Sequence, residues 1–348
     1  MKRWLGKAET TLGNHSDRLN AINIFPVADG DTGTNLYLTV RAAARALNHP
    51  VGPGGSGQHD VGAVLATAGQ AAMEQARGNS GTLFSVFLCA AAEPLAGQTR
   101  LSSALLAAAL NRAQIRAWSA LSEPVPGTML SVMEAAARAV AGVDAEQDGD
   151  DSNHALALAL DAAVGAAVEA VIRTEDQLEA LHAAHVVDAG GVGMLLILDC
   201  LRSAVLGEEL QSELLDGLHG YDVQDPHIHA DLPDDDGVEV MCTISLSPLE
   251  AATLRQRLDE MGDSVIMSQV GGSAGAEGKY RWRVHVHVPA AEPAVALIGS
   301  LGEPSDISVS QLALPRDPEL GSLDVPAHGG ADAVVADSDV REPSGHER

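Results

Sequence analysis

The sequence predicts a multi-domain chain: an all-α region, then an α+β sandwich of the split-βαβ type, then a disordered acidic tail. Three observations carry this. Apolar residues recur at steps of three and four through the first two hundred residues, period-two alternation appears after Gly207, and periodicity is lost from Arg316. A chain of 348 residues is also long enough for two domains.

In the first region Leu5, Ala8, Leu12, His15, Leu19 and Ile22 mark one buried helix face. Further helices are predicted over roughly 34–47, 59–75, 80–92, 101–121, 128–141, 153–172 and 190–206. Their connections are short or carry Gly, Pro and acids, as in Pro50–Gly57 and Val143–Asp151. Eight helices with no convincing strand between them make residues 1–207 an all-α domain. Residues 208–237 read as a His- and Asp-rich linker, in which His227 and His229 are candidate metal scavengers. Residues 238–315 follow as strand Val238–Leu246, a helix opened by Ser247-Pro248, strands Ser264–Val270 and Tyr280–Val288, a helix over 291–301 and strand Asp306–Leu312. That βαββαβ order places helices on one face of a sheet. Residues 316–348 are Pro-, Gly- and Asp-rich, hence the predicted disorder.

Lys plus Arg total 21 against 48 Asp plus Glu, a formal charge of -27. So acidic a chain is a poor nucleic-acid or anionic-membrane binder, because neutralising phosphates takes clustered cations. Any anion it holds must be met by metal ions or backbone N–H groups. Three scattered cysteines, Cys89, Cys200 and Cys242, imply no disulfide framework. The N-terminus is too polar for a signal peptide, and no apolar run reaches the ~18–20 residues of a membrane span. The expectation is a soluble cytoplasmic protein with no transmembrane segment.

The sharpest motif is Asn23–Asn35, NIFPVADGDTGTN. Asp29 and Asp31, separated by one glycine, can converge on a hard cation. Gly33, Thr34 and Asn35 then open a helix, where free N–H groups and the helix dipole favour an anion. An Asp/Gly turn with an ordinary N-cap is the alternative. Three more glycine-rich helix starts follow: Ala76–Thr82 (ARGNSGT), Pro124–Met129 (PVPGTM) and Val187–Gly193 (VDAGGVG). Four such starts in one helical domain exceed what capping requires, and their loops can gather around one polyphosphate. No GK[ST] follows a glycine loop, which excludes a P-loop, and the GxGxxG at Gly52–Gly57 follows no strand.

DGDTGTN, ARGNSG, PGTM and VVDAGG, in this order, resemble the nucleotide domain of the dihydroxyacetone kinase L-subunit (DhaL) superfamily. NIFPVADGDTGTN and VVDAGGVGM are closer still to its FakA-like branch, the ATP-binding component of bacterial fatty acid kinase, and the likeness continues in GDSV and RVHVHV. The resemblance implies an eight-helix barrel holding Mg-ATP, with Asp29 and Asp31 as magnesium ligands. By motif position Gly33, Thr34, Asn35, Asn79, Ser80 and Gly81 hold phosphates, and Thr128, Met129, Asp188 and Gly190 lie near the nucleoside. Asn23 stands where the sugar-kinase branch has a further aspartate, a weaker magnesium ligand that favours the FakA-like branch. Ala28 and Pro126 depart from the usual Pro and Glu of that branch. Arg77, the basic residue nearest a phosphate loop, is a candidate for catalytic electrostatic support, with a surface role as the alternative.

On the third strand of the second domain His285 and His287 share one face. Spacing alone leaves them as ordinary polar-face histidines or as metal ligands. The resemblance implies a zinc site, with Cys242 completing the set. It also implies a fatty-acid-carrying FakB-like partner and a homodimer, and it implies a third domain where this sequence has its tail. The activity expected is transfer of the γ-phosphoryl of Mg-ATP to a fatty acid carboxylate. A dihydroxyacetone (glycerone) kinase-type activity and a nucleotide-binding regulatory protein without turnover are the alternatives.

Overall fold

The computed structural model describes residues 1–48, 60–221, 237–270, 275 and 278–312. The Gly52–Gly57 stretch, residues 222–236 of the predicted linker with His227 and His229, and the tail from Arg316 lie outside the described residues, whereas the linker's first part is described and carries a short 3-10 turn, Ser212–Leu215. Among the described residues nine helices come first: α1 Lys2–Ala21, α2 Thr32–Ala46, α3 Val61–Glu74, α4 Gly78–Ala92, α5 Ser103–Ala120, α6 Met129–Glu146, α7 Asn153–Gln177, α8 Glu179–Ala184 and α9 Ala189–Leu206. Side chains cap several of them, Asp60 on α3, Ser102 on α5, Ser152 on α7 and Asp188 on α9, each accepting a first-turn N–H. The short α8 is the one helix that the periodicity missed.

Helices α1 to α7 each pack on the next, and α9 contacts both α7 and α1, so the circuit of neighbours closes. Small residues make the close approaches possible. A Cβ on Gly33 would lie 2.2 Å from the Ser16 carbonyl oxygen, which is how tightly α2 meets α1. Two helices, α7 and α9, are long and apolar enough to cross a membrane by length and composition alone, and half of the α7 window is buried in this fold. Within this fold 89% of the α9 window is buried by the protein itself.

The remaining elements are β1 Val238–Leu246, α10 Pro248–Asp259, β2 Asp263–Val270, β3 Tyr280–Val288, α11 Ala291–Leu301 and β4 Ser305–Gln311. They follow the predicted βαββαβ order and form one antiparallel sheet, β2-β3-β1-β4. A capping box between Ser247 and Glu250, with Pro248 in the first turn, starts α10. Val238, Val240, Cys242, Ile244, Val284, Val286 and Val288 pack with residues of α10 and α11 in a second core.

Met1–Leu314 form one compact unit, and β2 is its seam. Val265 and Met267 enter the sheet's own core, whereas Ile266 and Val270 enter the helical core. Leu121 bridges to Ile266, and Ser122 donates its N–H to the Val265 carbonyl at 3.0 Å. The Arg255 guanidinium of α10 donates to the Ser119 and Ala120 carbonyls at the end of α5, where the helix dipole favours a cation. The odd-numbered face of β1 and β3 is thereby laid towards the α3–α4 turn. Gly62 of α3 sits against the backbone of Leu95 and Ala96, with only 2.4 Å left for a Cβ, whereas Gly6 of α1 has nothing within 4 Å. Gly62→Ala is therefore expected to cost about 1–3 kcal/mol by overpacking, and Gly6→Ala to gain about 0.5–1 kcal/mol, in denaturant unfolding.

Candidate functional site

The site begins with an unusual division of labour at the start of α2. Asp31 occupies the N-cap position but makes no capping bond. Asn20, at the end of α1, caps the helix from across the turn: its Oδ1 accepts from the N–H groups of Gly33 at 2.8 Å and Thr34 at 3.1 Å. Its Nδ2 donates to Thr34 Oγ1 at 2.9 Å. The Asp31 carboxyl is released to meet Asp29, with which it shares a hydrogen bond. Asn23 donates to Asp29 Oδ1 and to the Val27 carbonyl, both at 2.8 Å, and accepts from Thr32 Oγ1.

These contacts bear on three expectations. The first-turn N–H groups of Gly33 and Thr34 are taken by Asn20, Gly33 is packed on Ser16 and the Thr34 side chain is exposed, so neither faces the cleft. Asn23 lines the cleft, but its oxygen accepts from Thr32 and its amide donates to Asp29, so in this structure it supports Asp29. Gly81 lies against Thr39, where it lets α4 approach α2.

The four motif loops do meet. One part of a continuous cleft is lined by Asp29, Asp31, Asn35, Asn79 and Ser80 together with Glu239 and His287. Through Phe25, Pro26, Val27, Asn79 and Ser80 it continues into a cavity of about 290 Å³ reaching Thr128, Met129, Asp188 and Gly190. Asp263 and Ser264 of β2 also line that cavity. Asn35 hydrogen-bonds Asp31 and lies beside Gly78, whose positive φ of 59° suits glycine. Asn79 Oδ1 is buried here without a hydrogen-bond partner. Arg77 is the exposed residue ahead of α4 and lines neither part of the cleft. The buried Arg283 of β3 holds that turn instead, its Nη2 reaching the Ala76 carbonyl at 3.4 Å.

The opposite wall comes from the sheet. Glu239 is paired with His287 across β1 and β3, with His285 two residues along. Glu239 Oε1 meets His285 Nε2 at 2.8 Å, the His285 Nδ1 meets the Ser264 carbonyl at 3.0 Å, and Ser310 donates to Glu239 Oε2 at 2.9 Å. One ligand atom from each of Glu239, His285 and His287 falls within 4.8 Å of the others. Cys242 is not among them. It is paired with Val284, one residue out of step with the histidines, so pleating turns it into the core under α10 and α11. Burial there pushes its thiol up to about 11. Glu239 and Asn20 are the residues that sequence reading missed: strand register decides the first, and the α1–α2 turn geometry the second.

Electrostatics follow from this crowding. Burial, then the charge of Asp31 and their shared hydrogen bond, push Asp29 up to about 8, and Glu239 adds to the effect. Burial and Glu239 also raise Asp31, while Asn35, the hydrogen bond to Asp29 and nearby His285 oppose the rise. Burial alone would raise Glu239, but its hydrogen bonds from His285 and Ser310 and the imidazole charges bring it down to about 2. Burial, then His285, lower His287 to about 3. Asp188, fully buried, is raised to about 7 by desolvation despite accepting the Gly191 N–H at 2.6 Å. Oxygen donors this close in a partly dry cleft are short of positive charge, the kind of donor set that suits a divalent cation.

Comparison with known proteins gives two family matches in chain order. A model of the DAK2 domain matches residues 26–203, and one of the FakA-like middle domain of fatty acid kinase matches residues 237–317. Uncharacterized proteins of Staphylococcus aureus strains RF122 and USA300 are each 26% identical over 264 residues, 74% of this chain and 46% of theirs. The chain thus spans about half the length of the curated relatives it matches. Among solved structures, the dihydroxyacetone kinase from C. freundii in complex with AMP-PNP and Mg2+ is similar at a TM-score of 0.41 and 22% identity, over 58% of this chain and 33% of that one.

Because the folded state holds the Asp29 proton more tightly than the unfolded chain does, this group stabilises the metal-free fold fully below about pH 4, and the contribution is lost as pH rises towards about 8. Asp29→Asn is expected to flatten that decline and to melt above the parent at pH 8 in thermal unfolding. Parallel profiles for the two proteins would contradict the buried-carboxylate assignment.

Proposed function

Because the chain belongs to the DAK2 domain family over residues 26–203, we propose that it is the ATP-binding component of a kinase acting on a fatty acid carboxylate presented by a FakB-like carrier protein. In this reading a carboxylate oxygen bonds to the γ-phosphorus, the bond from that phosphorus to the β-phosphate oxygen breaks, and acyl phosphate and ADP result. The observation that carries it is the cleft joining the Asp29–Asp31 pair to Asn79, Ser80 and Asp188.

Asp29 and Asp31 would hold magnesium, and the raised pKa of both carboxyls fits a site built for a divalent ion. Bound magnesium supplies charge neutralisation for the polyphosphate. Asn79 and Ser80 line the cleft, where the Asn79 Nδ2 and the Ser80 hydroxyl would donate to phosphates, while the orphaned Asn79 Oδ1, an acceptor, fits a cation or its water rather than a phosphate oxygen. Phe25, Leu83, Leu121, Met129 and Leu130 line the wider cavity and exclude water around a nucleoside. A carboxylate acceptor is already ionised, so positioning and electrostatics suffice and no general base is required. Glu239 and His287 line the same cleft with His285 buried behind them, and their two nitrogens and one carboxylate suit zinc. The match of residues 237–317 to the FakA-like middle domain favours an acyl over a sugar acceptor.

Purified chain is expected to bind Mg-ATP saturably, with binding lost in Asp29→Ala/Asp31→Ala by calorimetric titration. Acyl phosphate is expected to form only when a fatty-acid-loaded carrier is supplied. Phosphorylation of dihydroxyacetone would redirect the acceptor assignment, and binding without transfer to either acceptor would leave a regulatory protein.

A further inference from the structure

A second cluster of metal-ligating side chains lies outside the cleft, where the end of α7, the turn after α8 and the segment after α9 come together. Glu175 is mostly buried, its side chain 14% exposed, and its two carboxylate oxygens face two imidazoles. Oε2 stands 2.6 Å from His219 Nδ1, and Oε1 stands 3.5 Å from His185 Nδ1. His185 is the left-handed C-cap of α8, at φ 53°.

The backbone around the cluster is fixed. Val187 donates its N–H to the His219 carbonyl at 3.2 Å. Gly220, with φ 76°, is pressed so closely on Val186 that a Cβ there would sit 2.4 Å from Val186 Cγ1. Thr174, the neighbour of Glu175, accepts the Asp188 N–H at 2.9 Å. Two of the segments that present a donor are therefore hydrogen-bonded to the Val186–Asp188 strip that leads into the cleft, and His185 directly precedes that strip.

We propose that Glu175, His185 and His219 bind a divalent transition-metal ion of the zinc class, which staples the Val186–Asp188 strip to the end of α7. Two imidazole nitrogens and one carboxylate oxygen suit zinc, cobalt or nickel better than magnesium or calcium, with water filling the remaining position. The carboxylate is already hydrogen-bonded to one imidazole and near the other. Among the described residues only Glu239, His285 and His287 have ligand atoms already within 4.8 Å of one another. Here both rings are solvent-exposed, at 78% and 67% for their side chains, and binding would require them to turn onto one ion. The site is separate from Glu239, His285 and His287, and it stands whether or not the kinase reading does.

The test is a Zn2+ titration of the metal-stripped full chain and of His185→Ala/His219→Ala, whose two positions are exposed enough to be replaced without disturbing a core. The parent is expected to take up one equivalent more than the double variant, and zinc is expected to raise the Tm of the parent by the larger amount. Glu175→Gln, which keeps the size of the side chain, is expected to lose the same equivalent. Equal zinc uptake by parent and double variant would overturn the proposal, as would a Glu175→Gln chain that binds zinc like the parent.

Discussion

Three carboxyl groups are drawn into one partly dry space, and the rest of the site depends on their mutual repulsion. Asp29 and Asp31 share a hydrogen bond, and Glu239 is close enough for its charge to raise both. Water would screen such a group on a surface, but burial removes the screen and drives Asp29 far above the usual carboxylate range. An arrangement of this kind is stable when a proton or a cation is present. Under the proposed function it would explain how a chain of net charge -27 receives a polyanion, since the acids that repel phosphate would be the groups that recruit its counterion.

The cost of building the cluster is spread over residues that surround the two aspartates. Asn20 caps α2 so that Asp31 need not, and Asn23 holds Asp29 by one amide hydrogen while its oxygen is tied to Thr32. Gly33 allows the two helices to approach closely enough for Asn20 to reach. The motif glycines thus divide into two kinds. Gly78 and Gly190 border the cleft, whereas Gly33 and Gly81 serve helix packing behind it.

The sheet completes the site because β2 belongs to two cores at once. Ile266 and Val270 are inserted among the helices while Val265 and Met267 remain under α10 and α11. That double insertion presents one strand face of β1 and β3 to the DGDTG turn, with Glu239 and His287 in the cleft wall. A shift of one residue in the β1 register would exchange Glu239 for an apolar neighbour and return Cys242 to the histidine side.

Local patterning was enough for the elements. The three- and four-residue spacing of Leu5, Ala8 and Leu12 specifies a helix, and alternation along Tyr280–Val288 specifies a strand, because each pattern matches the repeat of its own backbone. The convergence of Asp29 with Asp31 was legible for the same reason, being confined to three residues around a glycine. Distant partnerships were not. That Glu239 and not Cys242 joins His285 and His287 depends on which residues of β1 and β3 lie opposite one another, and that Asn20 and not Asp31 caps α2 depends on how α1 and α2 pack. Both are settled by side chains filling two cores, a balance that no short stretch of chain contains, so only the assembled tertiary structure decides them.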